Sequence, residues 1–256
     1  MANVVFNNKI IEAKAQELLT TGVNARSLMT VDASLAAEAG MTKTINVYTY
    51  TGEAEELAVG EGNSNRGSIS YKGTDYTVKL VQQAFDYQDE DYMKDNLIVD
   101  MGVKGATQVM TNKMTADFYA EVAKATLKHT ASELSYDAIV DAIAKLNVED
   151  ESGLFVVITP AQKAELRKDA DYVAARMGEV VYNGQVGTIA GIPVIVSKAA
   201  DAAYVMSKDA VKLFMKKDVE VEQERDADTR TNSIYLRAAY ICALVDATKV
   251  CKIAKA

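Results

Sequence analysis

The chain has 256 residues, 49% hydrophobic and 25% charged, which is the balance of a globular protein long enough for one large domain or two small ones. Its formal net charge of −8 offers no basic footprint for gripping nucleic acid or an anionic membrane. No apolar run approaches the roughly 20 residues that span a bilayer, no basic-then-apolar leader opens the sequence, and Cys242 and Cys251 sit in apolar, strand-like text that predicts reduced, buried thiols in a reducing cytoplasm, not a disulfide framework.

Residues 7–19 read as a short amphipathic helix with Ile10, Ile11, Leu18 and Leu19 on its apolar face, ended by Thr20-Thr21-Gly22. A terminal helix of this length is marginal alone and docks on something. Two strands follow, 44–48 and 76–81. Between them a polar excursion over 60–68 is rich in Gly, Asn and Ser, which favour turns. Together they make an extended two-stranded arm, barely stable in isolation.

The strongest periodic element runs from about 88 to 124, free of proline. Ile98, Met101, Gly102, Gly105, Ala106, Val109, Met110, Met114, Phe118 and Val122 fall on one helical face, and Asp86, Asp89, Glu90, Asp91 and Asp95 suit the positive end of its dipole. Such a helix is roughly 55 Å long, a spine, with the glycines expected to break or kink it near the middle. Beyond it the text alternates. A helix is expected over 135–146 with Tyr136, Ile139, Val140 and Ile143 inward, a strand over 154–158, a helix over 161–167, a strand-turn-strand over 187–196 and mixed strand and helix over 203–215. An exposed or edge strand is expected over 218–223, and two closing strands over 233–253.

No catalytic constellation emerges. His129 is the single histidine, placed by its neighbours at a helix end, where a surface or capping role is expected. There is no phosphate-binding loop and no nucleophile elbow. The acidic run 86–95 lacks the alternating ligands and terminal glutamate of a calcium loop and reads as a solvated helix start. An enzyme is not expected, nor a cofactor or metal.

The order of elements carries more than any motif: an N-terminal arm, a long hairpin, a spine helix, a mixed lobe and a return to strands. This layout resembles the α+β fold of tailed-phage major capsid proteins, which encapsulin nanocompartments share. Specific text strengthens the resemblance. Tyr76-Thr77-Val78-Lys79-Leu80-Val81-Gln82-Gln83-Ala84-Phe85 with Asp89-Glu90-Asp91 and Asp95 is similar to the hairpin-to-spine junction. Gly187-Thr188-Ile189-Ala190-Gly191-Ile192-Pro193-Val194-Ile195-Val196-Ser197 resembles a signature late in the apical lobe. Val219-Glu220-Val221-Glu222 with Arg225-Asp226 resembles the acidic strand that re-enters the peripheral lobe.

The resemblance implies an N-arm over 1–23 and an extended E-loop over 44–81. It implies a peripheral domain over 24–43, 82–130 and 215–243, and an axial domain over 131–214 and 244–256. It implies a virion subunit that self-assembles into hexamers and pentamers of an icosahedral shell around double-stranded DNA. The partners are itself, a separate scaffolding protein, a portal and a decoration protein; the DNA is enclosed without sequence-specific binding, and no membrane is involved. A net charge of −8 suits an inner wall along which a genome slides. The alternative is an encapsulin-type shell around a cargo enzyme. Inter-subunit contacts are expected from Ile10 and Leu18 on the N-arm, and from Arg66 or Lys72 of the hairpin against Glu220 and Glu222 of a neighbour. Because Met1 directly precedes the arm, an uncleaved N-terminus is expected. Some family members join an E-loop lysine to a neighbour's asparagine with a glutamate as base. Lys72 and Asn232 match the first two positions, but the third is Ala239, with no acid before Asp246, so no covalent cross-link is expected.

Overall fold

The computed structural model describes residues 11–15, 25–37, 39–169 and 187–255. Of the expected N-arm helix, residues 11–15 are helical; Ile10, Leu18 and Leu19 and the stop at 20–22 lie outside the described residues. Ile11 and Ala15 are buried in the main core, Lys14 pairs with Asp100 at 2.8 Å, and the Val221 N–H donates to Glu12 at 3.2 Å. Residues 11–15 of the arm are therefore part of the packed body.

Three sheets organise the rest. β1 (Thr30–Asp32), β10 (Val211–Asp226), β11 (Thr231–Leu244) and β4 (Lys79–Gln88) form a four-stranded sheet in the order β1-β10-β11-β4. β5 (Leu127–Ala131), β12 (Val250–Lys255), β9 (Ala203–Ser207), β6 (Leu154–Ile158), β8 (Ile192–Val196) and β7 (Thr188–Ile189) form a mixed six-stranded sheet in that order. β2 (Thr42–Thr51) and β3 (Ser68–Thr77) pair only with each other.

Expected strand 76–81 is two elements, not one. β3 ends at Thr77 and β4 starts at Lys79, because Val78 between them turns inward, 6% exposed, and donates its N–H to the Met41 carbonyl at 2.7 Å. The expected spine over 88–124 is likewise broken, but not at its glycines. α1 (Asp89–Lys94) and α2 (Ile98–Val122) are separated by Asp95, whose extended backbone and carboxylate, accepting from the Leu97 N–H at 2.9 Å, form a local turn that competes with the helix. α2 is then roughly 37 Å long. Its buried face is Val99, Val103, Ala106, Met110, Met114, Phe118 and Val122; Met101 and Val109, expected inside, are 64% and 50% exposed. The expected face drifted by mixing positions that a 3.6-residue period carries off the core.

Gly102 and Gly105 both lie within continuous helix, and their surroundings differ. A methyl group at 102 overlaps the Phe85 ring, whereas nothing lies within 4 Å of the place a methyl takes at 105. Gly102 thus lets β4 and α2 approach closely. We expect Gly105→Ala to stabilise the fold by about 0.5–1 kcal/mol through helix propensity, and Gly102→Ala to cost about 1–3 kcal/mol through overpacking. Urea unfolding of both variants checks the opposite signs; two stabilising alanines would contradict the packing.

Other corrections concern the second lobe. Residues 127–131, read as a helix end at His129, form β5, which runs parallel to β12 with His129 opposite Ile253. The His129 ring is largely buried, with Nε2 3.9 Å from an Asp141 carboxylate oxygen. No helix occurs over 203–215, where β9 and the start of β10 lie. The strand expected over 218–223 is the middle of the 16-residue β10; it pairs with β11 on one side, while β1 covers the other only at Lys212–Phe214. α3 (Tyr136–Leu146) starts at a Ser135 cap, whose hydroxyl accepts from the Ala138 N–H, and buries Ile139 and Ile143, but Val140 is exposed. α4 (Pro160–Lys168) carries a full capping box between Thr159 and Gln162 with Pro160 at its first position. The turn between β7 and β8 has positive φ at both Ala190 (49°) and Gly191 (82°), the geometry of a tight hairpin.

The main core lies between the sheets. α2 packs on β4, β10 and β11, and Phe155, Val157, Tyr204 and Met206 of the six-stranded sheet join the same cluster. The other face of that sheet packs on α3 and on Leu166 of α4. Both cysteines are buried: burial pushes the Cys242 thiol up to about 12 and raises Cys251 in the same direction, so neither is a reactive thiolate.

Candidate functional site

The β2–β3 hairpin leaves the body as a ladder of ten paired positions, from Thr42↔Thr77 to Thr51↔Ser68. Alternation puts Tyr48 and Tyr50 on one face. Directly across, Tyr71 faces Tyr48 and Ile69 faces Tyr50, so the four large side chains share that face. All four are more than 60% exposed, with the Tyr48 and Tyr71 ring centroids 6.0 Å apart. The opposite face, from Val47 and Lys72 to Thr49 and Ser70, is mostly polar. A two-stranded ribbon with an uncovered aromatic face buries too little within its own chain to be rigid, and such a patch marks a contact surface. The sequence signal was present, since Tyr48 and Tyr50 alternate, but the expected strands 44–48 and 76–81 stop short of Tyr50, Ile69 and Tyr71.

The tip is organised rather than structureless. The Glu55 carboxylate accepts from the Ser64 N–H at 2.8 Å, from the Asn65 N–H at 3.0 Å and from the Ser64 hydroxyl, and these donors hold its pKa below the ordinary value. The side of the tip carrying Arg66 is exposed, as is Lys72 in β3. Glu220 and Glu222, expected to receive them from a neighbour, are engaged at home: Glu220 with Lys217 at 2.6 Å and Glu222 with Arg237 at 2.7 Å. Single-chain geometry therefore does not bring the four expected contact residues together.

The root of the hairpin is apolar on one side. Val78 packs with Leu35, Phe214, Ala239, Ile241 and Ala243, and Ile45 and Tyr76 lean on that cluster. Ala239 is thus a core residue where the cross-linking chemistry asks for an acid. The acid that does touch Asn232 is Asp89, which accepts from its amide at 2.6 Å. Asp89 also binds Arg225 at 2.8 Å, and hydrogen bonds from Arg225 and Asn232 hold its carboxylate below the ordinary range, which makes it a poor proton acceptor. Among the described residues, neither Ala239 nor the engaged Asp89 supplies such a base beside Asn232. Boiling assembled particles in detergent and reductant should give a single band near 27.7 kDa, and a ladder of multimers would contradict this.

Among the described residues, no group of three or more His, Cys, Asp or Glu is placed to hold a metal ion, and no helix is long and apolar enough to cross a membrane.

A family model described as phage capsid protein matches residues 71–253, from the second strand of the hairpin through both sheets into β12. The chain belongs to the phage capsid protein family. Its role is structural, in the shell of a phage virion. This capsid protein is 26% identical over 259 residues to the major capsid protein of Staphylococcus phage phiMR11, a match covering 96% of its own length and 92% of the other's. Its fold is shared with the capsid structure of cyanophage P-SCSP1u, at 12% identity and a TM-score of 0.72 over 91% and 88% of the two chains. It is also shared with a virus-like particle from Pyrococcus furiosus, at 11% identity and a TM-score of 0.67 over 97% and 100%. The α+β capsid fold expected from the order of elements is the fold observed.

Proposed function

We propose that this capsid protein self-assembles into the hexamers and pentamers of an icosahedral shell that encloses the double-stranded DNA of a tailed phage, and that the hairpin holds neighbours together. The observation that carries the reading is the aromatic face of Tyr48, Tyr50, Ile69 and Tyr71, exposed on a ribbon that its own body does not cover. Its natural occupant in a homomeric shell is the adjacent subunit.

In this reading α2 and the four-stranded sheet are the peripheral domain, and the six-stranded sheet with α3 and α4 is the axial domain. The boundaries then fall before β5, near residue 126, and before β10, near residue 210, slightly earlier than the sequence suggests. Arg66 and Lys72 act as hairpin contacts; pairing with Glu220 and Glu222 of a neighbour must compete with the bridges those acids already make. Ile10 and Leu18 are further proposed contacts. A scaffolding protein, a portal and a decoration protein are the expected partners. Family membership and the phage relative favour a genome shell over a compartment for a cargo enzyme.

Sedimentation velocity and negative-stain microscopy of the purified chain test the reading. Capsomers or closed shells are expected; a monomer at all concentrations, with and without a scaffolding protein, would count against it.

A further inference from the structure

Two acids, Asp117 at 5% exposure and Glu121 at 9%, are the buried carboxylates among the described residues, and both lie one turn apart on α2 facing the root of the hairpin. Asp117 accepts from Lys79 Nζ at 2.9 Å, from Lys113 Nζ at 3.2 Å and from the Tyr240 hydroxyl at 3.0 Å. Burial pushes its pKa up, but these three donors outweigh burial and the net direction is down, so the group is a carboxylate. Glu121 binds Lys124 at 2.7 Å; Lys124 sits over the Tyr76 ring at 5.9 Å, and the Tyr76 hydroxyl donates to the Leu244 carbonyl at 3.3 Å.

The placement is particular. Lys79 is the first residue of β4, paired with Tyr240 in the ladder to β11, and only Val78 separates it from the end of the hairpin. Lys79 and Tyr240, neighbours across that ladder, both reach the same carboxylate. Tyr76, just before Val78, is held by the second acid's lysine. Apolar contacts of Val78, Ile45 and Tyr76 attract without fixing direction, whereas charge-assisted hydrogen bonds fix it. A leucine in place of Asp117 would bury more cheaply than a carboxylate. A buried ion pair is weak grounds for stability and is better suited to specifying one geometry.

We propose that Asp117, gripped by Lys79, Lys113 and Tyr240, is a positioning residue that fixes the angle at which the hairpin leaves the subunit. Its importance for the shell rests on the reading that the hairpin reaches a neighbour; its effect on the angle does not.

The test separates the two. Spin labels at Ala58→Cys on the tip and Lys208→Cys on the body, in unassembled protein, report the hairpin's direction as a distance distribution. The native thiols are buried and do not compete for label. Asp117→Asn and Lys79→Met should each broaden the distribution roughly twofold, while Lys94→Met, whose pair with Asp91 lies away from the root, should leave it unchanged. Lys79 is half exposed, so its variant keeps the test available should Asp117→Asn fail to fold. An unchanged width in folded Lys79→Met overturns the proposal. A broadened width together with normal shells upholds the positioning role and counts against hairpin exchange.

Discussion

Deleting residues 53–68 should leave a subunit that folds normally and no longer closes into shells. Residues 52–67 are all exposed; the carboxylate of Glu55 bonds within the tip to Ser64 and Asn65, and Ser68 bonds to Thr51 at the outer end of the ladder. Removing them takes nothing from the core, so the melting temperature should move by no more than a surface change moves it, within about 0.5 kcal/mol of stability. The part lost is the reach of the ribbon, and the yield of shells should fall to background. Deleting residues 1–22 is a different experiment. The sequence alone suggests that it too spares the core, but Ile11 and Ala15 are buried there and Lys14 and Glu12 bond to α2 and β10. That deletion should cost about 2–5 kcal/mol, the scale of truncating one large buried aliphatic side chain, in addition to assembly. Equal stabilities of the two deletions, measured by urea unfolding, would contradict the packing of residues 11–15.

Phe118→Ala should be among the most damaging single substitutions, at about 3–5 kcal/mol. The side chain is fully buried, meets Tyr119 edge-on with ring centroids 5.0 Å apart, and sits in the cluster that joins α2 to both sheets. Against a typical total of about 5–15 kcal/mol, this loss leaves little folded subunit at elevated temperature. Met101→Ala, on the same helix but outward, should cost under about 0.5 kcal/mol. Chemical denaturation of the pair reads the helix orientation directly; comparable losses would place Met101 in the core and contradict the observed face.

Much of the architecture was legible because it rests on local pattern. β6, the capped α3 and α4, and the β7–β8 turn follow from apolar runs, Ser135, Thr159-Pro160 and Ala190-Gly191, whose effects act within a few residues. The order of elements, not any one motif, pointed to the capsid fold. What failed was what depends on distant partners. The break at Val78 needs Met41 and the small cluster under β11, which no window around 76–81 contains. His129 sits in a strand because β12 pairs with it from the far end of the chain. Gly102 read as a helix breaker, but its reason is Phe85 across the interface. Nothing local marks Asp117 and Glu121 as buried: Lys113 and Lys124 are near neighbours in sequence, but Lys79 and Tyr240, which complete the surroundings of Asp117, come from β4 and β11. At the candidate site, the two-stranded arm was anticipated, while the aromatic face was visible in the alternation and overlooked.

The central claim is that this capsid protein builds a closed shell in which each hairpin lies on an adjacent subunit. Cryo-electron microscopy of assembled particles tests it most directly. The account predicts an icosahedral reconstruction in which Tyr48, Tyr50, Ile69 and Tyr71 of one subunit are buried against its neighbour. A shell in which that face stays in solvent, or folds back on its own subunit, would contradict it.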